Sequence, residues 1–155
     1  MIYTELSLAV LMLQVLFIFV VLVLAAYYDL KKGIIPIELT IGLIVPGFVF
    51  SLFPETIINL FIAGLFLAIS IPLYKKNILG GGDIKLITGL ILINPFITPE
   101  FYMFFGLFTG LAGLGLYLLF MLLKKDILIE NATVRFAPAM LIGWVLTMCI
   151  VTGII

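Results

Sequence analysis

The chain has no histidine among its 155 residues. That removes the Ser-His-Asp triad, the usual zinc ligands of hydrolases and the imidazole general base. It has one cysteine, Cys149, inside an apolar run, so no disulfide forms within the chain and no four-thiolate zinc site can be built. Cys149 reads as a small buried hydrophobe. Charge is scarce too. Charged residues make up 10% of the chain, 8 acidic against 8 basic, so net charge points to neither nucleic acid nor an acidic partner. A soluble domain of this size needs more polar surface than that.

What the chain has in abundance is apolar side chains, 65% of the total. Its natural solvent is a bilayer. The length suits one domain, residues 1–155. With histidine gone, acid–base chemistry falls to carboxylates, lysine, tyrosine or the thiol.

Charges and prolines divide the chain into six apolar segments: Leu6–Tyr28, about Ile34–Phe53, about Thr56–Tyr74, Ile84 to about Ile97, Phe101–Leu123 and Phe136–Ile155. Five have roughly the 20 residues that cross a ~30 Å hydrocarbon core. The first is too long for a signal peptide and lacks a positive n-region, so it reads as a retained transmembrane helix. The fourth has only about 14 residues, the length of a re-entrant segment, and Pro95 limits its helix near Asn94. Positive charge decides between the two readings. Lys31 and Lys32 follow segment one. Lys75, Lys76 and Lys85 flank the loop after segment three, and Lys124, Lys125 and Arg135 flank the loop after segment five. If all six segments span, every Lys and Arg lies on one side, as cytoplasmic loops require. The expected fold is all-α: a polytopic membrane protein with six transmembrane helices and both termini outside. In segment five, Gly106 and Gly110 form a small-xxx-small pair, which predicts close helix packing.

Two acids stand out. Asp29 ends segment one in AAYYDLKKGIIP, and Asp83 opens segment four in LGGGDIKL. The topology puts both near the cytoplasmic face, and a folded bundle can bring them together. Peptide hydrolysis without metal, Ser or Cys needs one group to deprotonate water and another to protonate the substrate. Two adjacent carboxylates holding one proton do both. Sequence does not say which takes which role. Gly80, Gly81 and Gly82 permit unusual backbone conformations and close approach of another chain. Asp83 has the look of a helix N-cap. Each feature also has a plainer reading: an aspartate at a helix end is commonly a cap, and a glycine run is commonly a turn. Acids in membrane segments serve ion transport as well as catalysis.

At this point three patches, in order, resemble the type IV prepilin peptidases, membrane aspartyl proteases of the GxGD class. They are DLKKGIIPIELT from Asp29 to Thr40, GGGDIKL from Gly80 to Leu86 with Gly89 following, and RFAPAMLIG from Arg135 to Gly143. The resemblance implies that Asp29 and Asp83 are the catalytic aspartates. Gly80 and Gly82 match the motif glycines, with Gly81 between them. Lys85 matches the motif lysine, and otherwise is a snorkelling cytoplasmic-side charge. Pro36 matches the proline of the Ile-Pro element. Ile37 stands where the family often has Asn or Asp, with acidic Glu38 one place later, a candidate for substrate contact or an interfacial charge.

Large members of that family carry a cysteine-rich zinc region and methylate the new pilin N-terminus. This chain is similar to the minimal form of tight-adherence (Flp) pilus systems, which implies neither metal nor cofactor. The implied substrate is a prepilin-like precursor with a short basic leader before a hydrophobic helix, cut at the cytoplasmic face of the cell (inner) membrane. Archaeal preflagellin peptidases share the aspartate pair. Presenilin-like proteases are a looser match, through Pro138, Ala139 and Met140. Two other classes stay open: a proton- or cation-coupled transporter using the same acids, and a scaffold that packs partner helices. The oligomeric state and the pilin itself are not legible.

Overall fold

A computed structural model of the protein describes residues 5–53, 56–76, 79–96, 98–122 and 136–153. Among these residues there are six helices and no strand: α1 Glu5–Lys32, α2 Ile37–Phe50, α3 Ile57–Lys75, α4 Gly81–Ile93, α5 Pro99–Leu122 and α6 Ala137–Val151. Glu55, Lys124, Lys125 and Arg135 lie outside the described residues.

Each predicted segment contains a helix, but their lengths depart from expectation. Three stretches are long and apolar enough to cross a membrane: Val10–Lys32, Ile57–Lys75 and Glu100–Leu119. Segments two and six, expected at roughly full span, yield helices of 14 and 15 residues. Local chemistry explains the shortening. Pro36 stands at the N-cap of α2, and at the other end the Ser51 hydroxyl donates to the Gly47 and Leu92 carbonyls. Past α6, Gly153 takes a left-handed φ of 73°, and its amide reaches back to Ile150. At the other extreme, α1 runs four residues past Tyr28. It closes at Gly33, whose φ is 69° and whose amide donates to the Asp29 carbonyl at 2.9 Å, a helix-ending turn that glycine makes without strain.

Helix α4 has 13 residues and is about 20 Å long. It ends at Asn94, which is extended (ψ 123°) as the residue before Pro95 must be. Eight of its residues are buried, so it is the core helix of the bundle. Leu86, Leu90 and Ile93 pack with Ile18 and Leu22 of α1, Leu43 of α2 and Met140 and Trp144 of α6. Ile91 and Leu92 meet Ala63 of α3. Large apolar side chains cover the outside instead; Leu13, Phe61, Leu65, Met103 and Leu111 are all exposed. That is the pattern of a helix bundle made for lipid.

A short helix that stops inside an apolar bundle leaves carbonyls without partners. Here neighbouring helices supply donors. Gln14 Nε2 of α1 bonds the Ile93 carbonyl at 3.0 Å, the Ser51 hydroxyl bonds Leu92, and Asn59 Nδ2 of α3 bonds Asn94 at 2.9 Å. Tyr102 of α5 in turn donates to Asn59 Oδ1.

Close crossings use other glycines than the pair in segment five. A Cβ on Gly89 would lie 2.7 Å from Leu43 Cβ, and one on Gly47 would lie 2.8 Å from Leu92 Cβ, so α2 and α4 meet backbone to backbone. Gly143 of α6 takes Thr109 of α5 in the same way. Gly106 and Gly110 are exposed with nothing within 4 Å. The expected packing role falls instead to Gly113, which faces Ala139 and Phe136. The reason is helical phase: Gly113 and Thr109 share the α6-facing side, and Gly106 and Gly110 point away from it.

Candidate active site

Asp29 sits in the last turn of α1 and is 6% exposed. Its Oδ2 accepts a hydrogen bond from the Ala137 amide at 3.2 Å, the first amide of α6. A carboxylate from α1 thus meets the N-terminus of a helix 108 residues later. The charge suits that position, because a helix N-terminus carries about half a positive charge.

Asp83 lies in the first turn of α4, half-buried. The N-cap is Gly80, not Asp83, because the glycines themselves enter the helix. Asp83 folds back over this turn and accepts a hydrogen bond from the Gly80 amide. The fold-back explains the glycine: a Cβ at Gly80 would lie 2.8 Å from Asp83 Oδ2. The next two glycines answer to other neighbours. A Cβ on Gly81 would meet the Tyr74 ring at 3.3 Å, and one on Gly82 would meet Ile35 Cβ at 3.3 Å. Three consecutive glycines therefore serve a carboxylate, α3 and the loop between α1 and α2.

The two carboxylates border one cavity of about 240 Å³, lined by Asp29, Gly33, Ile34, Ile35, Gly80, Gly81, Gly82 and Asp83. They lie within reach of each other's charge. Of the residues singled out in the sequence, the fold gathers Asp29, Asp83 and the three glycines here. It does not gather the rest. Pro36 starts α2, one residue beyond the lining. Glu38 is exposed on the first turn of α2, and Lys85 is exposed on α4. Lys31 and Lys32, close to Asp29 in sequence, are exposed and lie over the rings of Tyr27 and Tyr28, 5.5 and 5.3 Å from the centroids. Among the described residues no group of three or more Asp, Glu or Cys side chains converges.

Sequence reasoning missed Gly33, Ile34 and Ile35 as walls of the cavity and the Ala137 amide as a partner of Asp29. A signal for the second exists. Pro138 in the first turn marks the start of α6, and the amide just before it has no acceptor within its own helix.

What such a pair can do chemically is limited and specific. Two carboxyls on one small cavity, each within reach of the other's charge, favour a state with a single proton on the pair, and such a pair can act as acid and base together. The model of the type IV leader peptidase family, a peptidase family, matches residues 16–123. The match takes in Asp29 and the Gly80–Asp83 turn and ends before α6. No curated protein and no solved structure matches the chain. With well over half its residues matched, the chain belongs to the type IV leader peptidase family.

Proposed function

We propose that the protein is a membrane aspartyl endopeptidase that removes the short basic leader from prepilin-like precursors, with Asp29 and Asp83 as the catalytic pair. One observation carries this reading: in a leader peptidase chain, the two aspartates border the same small cavity beside a glycine turn.

Two neighbouring carboxyls resist losing both protons, so at working pH the pair holds one. The charged member takes a proton from water as the water oxygen attacks the scissile carbonyl carbon. The protonated member hydrogen-bonds the carbonyl oxygen and donates to it. The tetrahedral intermediate then collapses, the C–N bond breaks, and a proton passes to the leaving amine. Pair and proton are restored. No cofactor enters. Gly80, Gly81 and Gly82 leave the backbone bare where an extended substrate would lie.

The membrane arrangement follows from charge. With all six helices crossing, both termini outside and the lysines together, the positive loops mark the cytoplasmic side, and the aspartates lie at that face. The shortness of α4 is compatible with crossing because Gln14, Ser51 and Asn59 satisfy its last carbonyls. An apolar groove of about 540 Å³ along α1 and α6, bordered by Leu16, Phe19, Trp144 and Met148, suits the hydrophobic helix of a pilin precursor.

The test is leader release. Purified protein in lipid vesicles, mixed with a prepilin, is expected to cut just before the hydrophobic helix. Intact prepilin after incubation with folded protein, together with ion flux across the vesicles, contradicts the reading and supports a transporter.

A further inference from the structure

We propose that the apolar groove between α1 and α6 holds the precursor's hydrophobic helix in one register, parallel to α6, with the side chains about 10–15 residues beyond the cut seated in it. The inference rests on the peptidase reading above. It adds where the precursor is gripped and why one particular bond is cut.

The seam between α1 and α6 has two fixed points. At one, Asp29 Oδ2 accepts a hydrogen bond from the Ala137 amide at 3.2 Å. At the other, the rings of Phe19 and Trp144 lie 6.5 Å apart. From the first point to the second the chain goes back along α1 and forward along α6, so the two helices are antiparallel. At and beyond the rings lies the groove, about 540 Å³, with Leu11 on one wall and Met148 and Cys149 on the other.

Each helix measures the depth of the groove from the catalytic end. Phe19 and Leu11 precede Asp29 by 10 and 18 residues, or about 15 and 27 Å of helix. Trp144 and Thr152 follow Ala137 by 7 and 15 residues, or about 11 and 23 Å. The two ranges overlap at about 15–23 Å. A substrate helix that begins at the aspartates and runs outward climbs at the same rate, so its residues about 10–15 beyond the cut pass at that depth. It runs in the direction of α6. Cys149, 12 residues past Ala137, therefore stands level with a residue about 12 beyond the cut.

The chemistry of the groove sets its occupant. Among the described residues no charged side chain borders it, so the occupant is apolar. A lipid tail meets that condition too. The substrate helix is singled out by continuity: Asp29 borders the catalytic cavity and also closes the near end of the seam that leads to the groove. A helix that leaves the aspartates along this seam reaches the groove at a set depth, and a lipid tail has no such fixed point. Grip at that depth has a consequence for cleavage. It fixes how far the helix reaches toward the aspartates, and so which peptide bond they meet.

Cys149 is the one cysteine of the chain and lines the groove half-buried, so it serves as the probe. Asp83→Asn protein in lipid vesicles is mixed with prepilins that carry a single cysteine, moved one residue at a time from roughly the fourth to the twentieth position after the cut. Copper phenanthroline oxidises the thiols, and the disulfide between the two chains is read on a gel. The yield is expected to peak at about position 12, to recur one turn away at about 8–9 and 15–16, and to fall between them. In otherwise wild-type protein, Met148→Gln is expected to raise KM for leader release about tenfold with kcat little changed. Met103→Gln, at an exposed position of α5, is expected to change neither. No disulfide, or even yields at every position, mark a groove filled by lipid and overturn the proposal. A peak outside about 10–15 overturns the register. A disulfide between two copies of Cys149 that persists with the precursor present assigns the groove to a second copy of the chain and overturns the proposal too, as does an unchanged KM in folded Met148→Gln. If the wild-type protein releases the leader without the disulfide pattern, the proposal fails and the peptidase reading stands. If the pattern appears and the wild-type protein releases no leader, the groove holds the helix as proposed and the peptidase reading fails.

Discussion

Gln14 of α1 donates to the Ile93 carbonyl of α4 at 3.0 Å, and so ties the helix whose last turn carries Asp29 to the helix whose first turn carries Asp83. The bond lies at the opposite end of α4 from the cavity. With the Asn59 and Ser51 bonds it anchors α4 at one end, which leaves the Gly80–Asp83 turn with a fixed position at the other.

Removing these donors is expected to cost stability. Gln14→Leu strands one carbonyl in an apolar setting, a loss of about 1–3 kcal/mol. Asn59→Leu strands the Asn94 carbonyl and also takes away the acceptor of the Tyr102 hydroxyl, two bonds against one, so its loss is the larger of the two. Thermal unfolding in one detergent, followed for all three proteins, gives the order. Equal melting temperatures for Asn59→Leu and wild type contradict it.

The helix crossings make a second contrast. Gly89→Ala and Gly47→Ala put a methyl where 2.7–2.8 Å separates it from a neighbouring Cβ, and α2 must move off α4. The expected cost is about 1–3 kcal/mol each. Gly106→Ala and Gly110→Ala meet open space and improve helix propensity, so they are neutral or stabilising by up to about 1 kcal/mol. The same unfolding measurement separates the two pairs, and destabilisation of the α5 pair as large as that of Gly89→Ala contradicts the packing described.

The glycine turn yields a prediction about rate. In Gly80→Ala the new methyl falls 2.8 Å from Asp83 Oδ2 and displaces the carboxyl, so leader release is expected to drop at least tenfold or so with little loss of stability. Gly81→Ala presses on the ring of Tyr74, a side chain that is 53% exposed and free to yield, and is expected to be milder. Initial rates of cleavage for the two variants decide the order. A Gly81→Ala defect larger than that of Gly80→Ala is the contrary result.

A shared proton also fixes the form of the pH dependence. On the acid side both carboxyls are protonated and none can accept a proton from water, so the rate falls as pH falls. On the alkaline side both are charged and none can donate to the substrate carbonyl, so the rate falls again. A plot of kcat/KM against pH is expected to be bell-shaped. A profile with one limb removes one aspartate from the acid–base scheme.

Much of this was readable from the chain. Apolar runs and their charged ends marked six helices, because lipid leaves few alternatives to a helix. GGGD beside a basic DLKKG marked the two turns that meet at the cavity. What stayed hidden depends on side-chain direction and on neighbours far away in sequence. Gly106 and Gly110 have the spacing of a packing motif, yet their phase turns them away from α6. Asp83 has the look of an N-cap because the rule weighs side chains, and it gives no account of three glycines entering a helix. Gln14 and Asn59 are ordinary polar residues in apolar runs until α4 is seen to end beside them. The Ala137 amide belongs to the backbone and has no letter in the sequence.

The central claim is that Asp29 and Asp83 act as one catalytic pair, and the most direct measurement is leader release by Asp29→Asn and by Asp83→Asn, each shown to be folded by its unfolding curve. The expected result is that the wild-type protein releases the leader and each asparagine variant leaves the prepilin intact. Wild-type rates of release from either variant contradict the claim.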